Sequence, residues 1–248
     1  MIPEELAHIN LQDLEVSEVE LNNSLLLETA RIGKFTCSEF HKLMTYENKI
    51  DDLPKGAMTV IREKVSEVLT ESTSFNESWT SDAMQWGKDH ELEAIKRFTE
   101  ETGIAVKSTG DNQQFTEFEE EGSILNGNVG GTPDGDIDQQ TGLEIKCPNS
   151  STHLDYILKN MELEELEELP TEPELKIIEK KYYWQVQGYM MLTGKKFWFF
   201  VSYDPRFKDH DKKILIKQVK RNDRDIQKLK VRLEMCVREK NRILDELL

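Results

Sequence analysis

From about residue 25 onward, apolar positions recur first with helical and then with strand-like spacing. Leu25-Leu26-Leu27-Glu28-Thr29-Ala30-Arg31 predicts a helix entered near Ser24 and stopped by Gly33. Thr36-Cys37-Ser38-Glu39 has the form of a capping box, and Phe40, Leu43 and Met44 give the next helix its apolar side. Residues 57–69 predict a helix burying Val60, Val65, Val68 and Leu69, followed by a Ser/Thr/Asn-rich loop over 70–80. Asp82 to Thr102 is a long helix ended by Gly103, with a stripe through Gly87, Ala94, Ile95 and Phe98. Glu91 sits on that stripe, four residues from both Gly87 and Ile95. A carboxylate on a core-facing side is costly without a cation or donor to meet it. Either Glu91 lies at the rim of the core or it faces a polar centre. His90 is off the stripe and reads as a boundary residue.

The middle of the chain changes period. Residues 103–107 and 113–118 predict strands, and the Gly/Asn-rich 122–131 forms turns. Leu143-Glu144-Ile145-Lys146-Cys147 enters from a Thr-Gly turn, so Glu144 and Lys146 share one face while Leu143, Ile145 and Cys147 share the other. With Thr132-Pro133-Asp134-Gly135 it predicts a hairpin whose loop is 136–142. Asn149 to Thr152 can cap a helix carrying Leu154, Ile157 and Leu158. Residues 161–174, rich in Glu and Leu and broken by Pro170 and Pro173, read as a solvated acidic insertion.

Lys180 to Thr193 predicts a helix stopped by Gly194, with Gln185 and Tyr189 on one face. The aromatic run 196–203 has the composition of a central strand, and 213–219 alternates as a second. The last helix, 223–248, places Ile226, Leu229, Leu233, Cys236, Ile243 and Leu247 on an a/d pattern that Lys240 interrupts. It packs on its own domain or on a neighbouring subunit.

Composition narrows the class. A chain of 248 residues with 37% hydrophobic content suffices for one large domain with a real core. No apolar run reaches the roughly 18 residues of a membrane span, and residues 1–10 lack the basic start and apolar core of a signal peptide. A cytoplasmic protein with no membrane association is expected. Cys37, Cys147 and Cys236 are too few and too scattered for a disulfide framework or a zinc site. The net charge of -16 opposes nucleic-acid binding unless it is unevenly spread. Acidic residues do concentrate before residue 180 and basic ones after it, so a basic inner surface within an acidic shell is the expectation.

Two constellations carry chemistry. Asp134, Glu144 and the carbonyl of Ile145 form an oxygen set suited to a hard divalent cation, and Lys146 projects on the Glu144 side. That is the equipment of phosphodiester hydrolysis, although a hairpin with one exposed ion pair has the same local sequence. Arg31, Lys34, Thr36 and Ser38 gather beside a helix N-terminus, where an anion is favoured, although an ordinary capped helix with two surface cations also reads this way.

Four blocks extend these patterns in order between about residues 25 and 210: Arg31-Ile32-Gly33-Lys34-Phe35-Thr36-Cys37-Ser38-Glu39; Trp86-Gly87-Lys88-Asp89-His90-Glu91; Thr132-Pro133-Asp134-Gly135 with Leu143-Glu144-Ile145-Lys146-Cys147-Pro148; and Gln185-Val186-Gln187 continuing to Tyr203-Asp204-Pro205-Arg206. Together they resemble the phage lambda exonuclease family, the YqaJ-like viral recombinases, within the PD-(D/E)xK nuclease superfamily. The resemblance implies an α/β fold with a restriction-endonuclease-like core, a mixed central β-sheet flanked by α-helices, in a single nuclease domain over 1–248. It implies a magnesium-dependent 5'-to-3' exonuclease, with manganese as a substitute, that degrades one strand of linear double-stranded DNA. The 3' overhangs left behind serve recombination by strand annealing.

By the same resemblance Asp134 and Glu144 bind metal and Lys146 is the catalytic lysine. Glu91 is the acidic residue from the preceding helix, Gln185 the active-site glutamine, and Arg31, Thr36, Ser38 and Thr132 form a pocket for the 5'-terminal phosphate. It also implies a ring-shaped homotrimer, a single-strand annealing protein as partner and, for a phage-encoded protein, the cytoplasm of a bacterial host. The alternatives are a structure-specific or nicking endonuclease on the same core, or a DNA-end-binding module without activity. Two features depart from the family: Leu25 to Leu27 where an aromatic residue is usual, and Ser150 to Thr152 where a basic one is.

Overall fold

Thr141–Lys146 (β5) is buried along almost its whole length, which requires cover on both faces. In the computed structural model, which describes residues 25–73, 82–107, 113–168 and 170–248, two layers supply that cover. The part of the expected 70–80 loop from residue 74 on, and the segment 1–10, lie outside the described residues.

β5 pairs in parallel with β6 (Phe197–Tyr203) and antiparallel with β4 (Gly135–Asp136), and β6 pairs antiparallel with β7 (Ile214–Lys220). The result is a mixed four-stranded sheet in the order β4-β5-β6-β7. The aromatic β6 is thus interior, as its composition suggests. Trp198 lies flat against Gly142, where a Cβ has no room. On one face of the sheet Leu143, Ile145, Val201 and Tyr203 meet Ala94 and Phe98 of α4 (Asp82–Thr102). On the other, Trp198 and Phe200 join the larger core with Tyr183, Trp184 and Met190 of α7 (Lys180–Thr193).

A second, smaller sheet stands apart from the first. β1 (Phe35–Thr36) lies parallel to β3 (Val129–Gly131), which pairs antiparallel with β2 (Thr116–Glu117). The mixed sheet is therefore joined by a separate three-stranded one instead of absorbing it. Residues 103–107 are not a strand. Their bond to the mixed sheet runs from Lys107 N to the Asp136 carbonyl at 2.6 Å, Gly103 and Ile104 bond back to the end of α4, and Ile104 and Val106 still pack on the core. Their alternation reflects burial without a ladder.

Between α1 (25–31) and β1 the chain turns through Gly33, whose φ of +68° suits glycine. Thr36 and Glu39 then close a capping box ahead of α2 (Phe40–Leu43). In α3 (Lys55–Thr70) the buried face differs from expectation: Leu69 is exposed, whereas Lys64 and Glu67 are buried. In α5 (Ser150–Glu164), capped by Asn149, Ile157 is buried but Leu154 and Leu158 face outward. The inward side instead presents His153, whose ring bonds Ser202 Oγ at 2.7 Å and the Lys212 carbonyl at 2.9 Å. Two good polar partners therefore decide the helix phase. Most of 161–168 is exposed, and α6 (Glu174–Ile178) re-anchors the chain by burying Leu175 and Ile178 and pairing Lys176 with Glu47 at 2.7 Å.

α8 (Asp223–Leu247) packs on its own chain, with Ile226, Leu229, Leu233 and Cys236 in the main core. Arg232 is fully buried there and donates to the carbonyls of Leu43 at 2.9 Å and Lys49 at 2.6 Å, fixing the loop after α2. Cys37 and Cys236 are buried free thiols, and Cys147 is half-buried. Among the described residues no helix is long and apolar enough to cross a membrane.

Arg232→Ala leaves the Leu43 and Lys49 carbonyls without their donor and empties a fully buried side-chain site, so we expect a loss of about 3 kcal/mol in urea unfolding. His153, lowered by burial from its ordinary imidazole value, favours the neutral form in the fold. Its stabilisation is complete above the unfolded value of about 6.5 and is lost as pH falls toward the folded value. The stability difference between the wild type and His153→Gln should therefore shrink between pH 7 and pH 5 in paired denaturant titrations.

Candidate active site

The β4-β5 ladder ends at the Gly135–Leu143 pair, so the last three residues of β5 must bond otherwise on that edge. Asp134 takes over: its Oδ2 accepts the Ile145 N–H at 2.8 Å. Because the N–H and C=O of one strand residue point to the same edge, the Ile145 carbonyl faces the Asp134 side too. A side chain replacing a strand is what brings Asp134 to Glu144 and Lys146.

Glu144 has no solvent exposure. Its Oε1 accepts from Lys146 Nζ and from Gln185 Nε2, the latter at 2.5 Å. Its Oε2 is buried with no hydrogen-bond partner. Burial, then the Asp134 carboxylate within hydrogen-bonding reach, push Glu144 far above the usual carboxylate range. Burial pulls the Lys146 ammonium down, but Asp134 and Glu144 outweigh it and hold Lys146 above its ordinary value. Lys146 Nζ also stands 3.6 Å from Asp134 Oδ2 and 5.5 Å from the centre of the Tyr182 ring.

Gln185 comes from α7 and is steadied one turn on. Its Nε2 donates to Tyr189 Oη at 3.0 Å, and that hydroxyl donates to the Thr132 carbonyl at 3.0 Å. Glu91 faces a polar centre, lining a cleft of about 960 Å³ with Asp134, Ile145, Lys146 and Gln185. Gln113 Nε2 donates to it at 3.0 Å. Burial first and Asp134 second raise its carboxyl to about 7.

A smaller hollow of about 200 Å³ opens beside the cleft, lined by Arg31, Thr36, Ser38, Thr132, Glu144 and Tyr189 among others. Arg31, Ser38, Asp134, Lys146 and Gln185 line both, so the two spaces are continuous. Arg31 Nη2 donates to Thr132 Oγ1 at 2.9 Å, while its buried Nε has no partner. Thr36 donates its hydroxyl proton to Glu39 Oε2 at 2.8 Å. With that proton spent, the 3.2 Å contact between the two hydroxyls is donated by Ser38 to Thr36, which leaves Arg31 and the Thr132 hydroxyl as the groups free to donate, and Ser38 only on turning away from Thr36.

The cleft also contains residues to which the sequence motifs assign no role. The Arg206 guanidinium lies 4.2 Å from the centre of the Trp86 ring, and Trp86 stacks on His90 with centroids 3.8 Å apart. The buried Asp204 holds Arg206 through Nε at 2.7 Å and Nη2 at 2.9 Å. The available signal was that Trp86 and Arg206 terminate two of the four blocks. Lys181 and Tyr182 complete the wall opposite. His90 is thus a support for Trp86 and reaches no metal-type partner.

Among the described residues no three His, Cys, Asp or Glu side chains converge as a ready-made cation cage. A hard cation would be held by Asp134, Glu144 and the Ile145 carbonyl, with phosphate and water completing its shell. The orphaned Glu144 Oε2, buried against a second carboxylate, fits such an occupant. When bound, the cation polarises a phosphoryl oxygen and lowers the pKa of water.

The fold and the comparisons with known proteins make this a nuclease of the lambda-exonuclease type. The chain belongs to the family of the YqaJ-like viral recombinase domain, whose model matches residues 28–196. It is similar to the alkaline exonuclease LHK-Exo from Laribacter hongkongensis, with 25% identity, a TM-score of 0.68, and coverage of 88% of this chain and 93% of that one. The complex of LHK-Exo with dAMP aligns with 25% identity, a TM-score of 0.70, and coverage of 89% and 94%. A phage related exonuclease from Haemophilus somnus 129PT shares the fold at 18% identity and a TM-score of 0.63, covering 87% of this chain and 96% of that one. No curated protein sequence matches the chain.

A cation held by Glu144 would bind the folded state alone. Magnesium should raise the melting temperature of the wild type, by an amount equivalent to about 2.7 kcal/mol at a hundredfold excess over Kd. Glu144→Ala should melt at the same temperature with and without it, as read by scanning calorimetry.

Proposed function

We propose that the protein is a magnesium-dependent 5'-to-3' exonuclease that removes nucleotides from one strand of linear double-stranded DNA and leaves 3' overhangs. The observation that carries this reading is the continuity of the two spaces. A hollow of about 200 Å³ with an unpartnered buried guanidinium nitrogen adjoins the Glu144, Lys146 and Gln185 cluster. An anion seated on Arg31, Ser38 and Thr132 would lie next to the hydrolytic centre, so a terminal 5'-phosphate sets the cut close to the strand end. The dAMP bound to LHK-Exo is a nucleotide of the kind such a cut releases.

In this reading Asp134, Glu144 and the Ile145 carbonyl hold magnesium, for which manganese can substitute. Lys146 orients the attacking water or offsets developing charge, as the ammonium nearest both carboxylates. Gln185 keeps Glu144 Oε1 occupied, so that Oε2 remains the free ligand. Glu91, raised to about 7, is suited to exchange a proton at neutral pH. Thr36 shapes the hollow through its bond to Glu39. Assembly as a homotrimer around DNA, and work beside a single-strand annealing protein, belong to the same proposal through family membership.

Linear and closed circular duplex offered side by side with magnesium test it. The linear DNA should lose one strand from its 5' ends while the circle stays intact; cutting of the circle would replace the exonuclease by an endonuclease. Arg31→Ala should reduce the preference for 5'-phosphorylated over 5'-hydroxyl ends by about tenfold or more, the scale of a lost charge-assisted bond. An unchanged ratio would remove the phosphate pocket from the reading.

A further inference from the structure

Lys240 interrupts the apolar seam of α8 and lies beyond residue 196, outside the region matched by the family model. It is buried, and its Nζ donates to the Gly33 carbonyl at 2.7 Å and to Asn128 Oδ1 at 2.6 Å. Those two acceptors sit at the base of the β1-β3 pair, whose strands are joined there by Phe35 N to the Asn128 carbonyl at 2.9 Å. β1 leads directly to Thr36 and Ser38; β3 leads to Thr132. One ammonium therefore clamps the origin of both walls of the small hollow.

The other side of Gly33 is held as firmly. Its N–H donates to Glu67 Oε2 at 3.0 Å, Glu67 pairs with Lys64 at 3.1 Å, and Lys64 pairs with Glu39 Oε1 at 3.1 Å. Glu39 in turn accepts from the Thr36 N–H at 3.0 Å and from its hydroxyl. The chain of bonds runs from α8 through α3 to the capping box without a break. Gly33 cannot shift sideways either, since Val68 packs where its Cβ would stand. Arg31, two residues before Gly33, inherits this anchorage through the turn closed by Lys34 N to the Arg31 carbonyl at 3.0 Å.

We propose that Lys240 is a positioning residue for end recognition: with Lys64, Glu67 and Glu39 it holds the 31–38 turn so that Arg31 and Ser38 face a 5'-terminal phosphate. The proposal rests on reading the small hollow as the 5'-phosphate pocket. Buried ionic groups stabilise little compared with apolar ones of the same shape, so a network of two lysines and two glutamates under one turn is better explained by placement. Burial, with Lys64 next, brings Lys240 down to about 8 despite Glu67. A neutral amine keeps two N–H donors, enough for both bonds at alkaline pH.

Steady-state release is measured on 5'-phosphorylated and 5'-hydroxyl linear duplex for the wild type, Arg31→Ala, Lys240→Met, Lys240→Arg and Glu67→Gln, each with its melting temperature. Lys240→Met should raise KM for phosphorylated ends about tenfold with kcat within about twofold, so the preference for phosphate falls. Lys240→Arg, which keeps the donors, should recover most of it. Equal loss on both ends, or an unchanged ratio in a folded Lys240→Met, overturns the proposal. Should Lys240→Met not fold, Glu67→Gln decides: a preference lowered about threefold supports it, and an unchanged one overturns it. A wild type without phosphate preference, or an Arg31→Ala that retains it, rejects the pocket itself and is distinct from these results.

Discussion

Glu144 occupies a position no ionised carboxylate takes without support. Moving a charge out of water costs several kcal/mol even after relaxation, and here it is fully buried, on an almost wholly buried strand, with another carboxylate in reach. Lys146 and Gln185 satisfy one oxygen only. The surrounding structure must therefore be rigid enough to prevent the group from escaping to water. The pairing of β5 with β6 along all six of its residues supplies that rigidity, and α7 supplies Gln185 from above. The incompletely satisfied oxygen is what the fold retains at this cost, and it is the ligand the proposed cation would take.

The short β4 follows from the same requirement. A full-length partner would have consumed the outer edge of β5 with backbone bonds and held Asp134 in a ladder. Pairing that stops after two residues leaves Asp134 to cap Ile145 with its side chain, and leaves the Ile145 carbonyl on the same edge. Across the opening the second sheet contributes Thr36 from β1 and, just past the end of the adjacent parallel strand β3, Thr132.

Much of this was legible in the chain. The alternation through Leu143 to Cys147 assigns the faces of β5 correctly, and the stripe on α4 places Glu91 toward the cleft. Legibility failed where a polar group outcompeted an apolar one for the interior. Lys64 and Glu67 displaced Leu69 on α3, and His153 rotated α5 so that Leu154 and Leu158 face outward. Such reversals depend on partners distant in sequence, Glu39 and Gly33 in one case and Ser202 and the Lys212 carbonyl in the other. No local window contains them. The role of Arg206 on Trp86 was hidden for the same reason, since the stack spans α4 and the segment after β6.

The net charge of -16 becomes intelligible through pairing. Lys180, Lys195 and Lys217, from the basic part of the chain after residue 179, are joined to Glu47, Asp136 and Glu174 from the acidic part before it. Those cations are each paired with a carboxylate, which weakens any field they offer to phosphate. The cleft itself is lined by Arg31, Lys88, Lys146, Lys181 and Arg206; of these Arg31 is held through Thr132, Lys146 between two carboxylates, and Arg206 by Asp204. Long-range attraction of a duplex by a chain so acidic is weak. If the small hollow is the end pocket proposed above, discrimination would come from short-range bonds made after an end has entered the cleft, and end geometry, more than charge, would be the basis of selection.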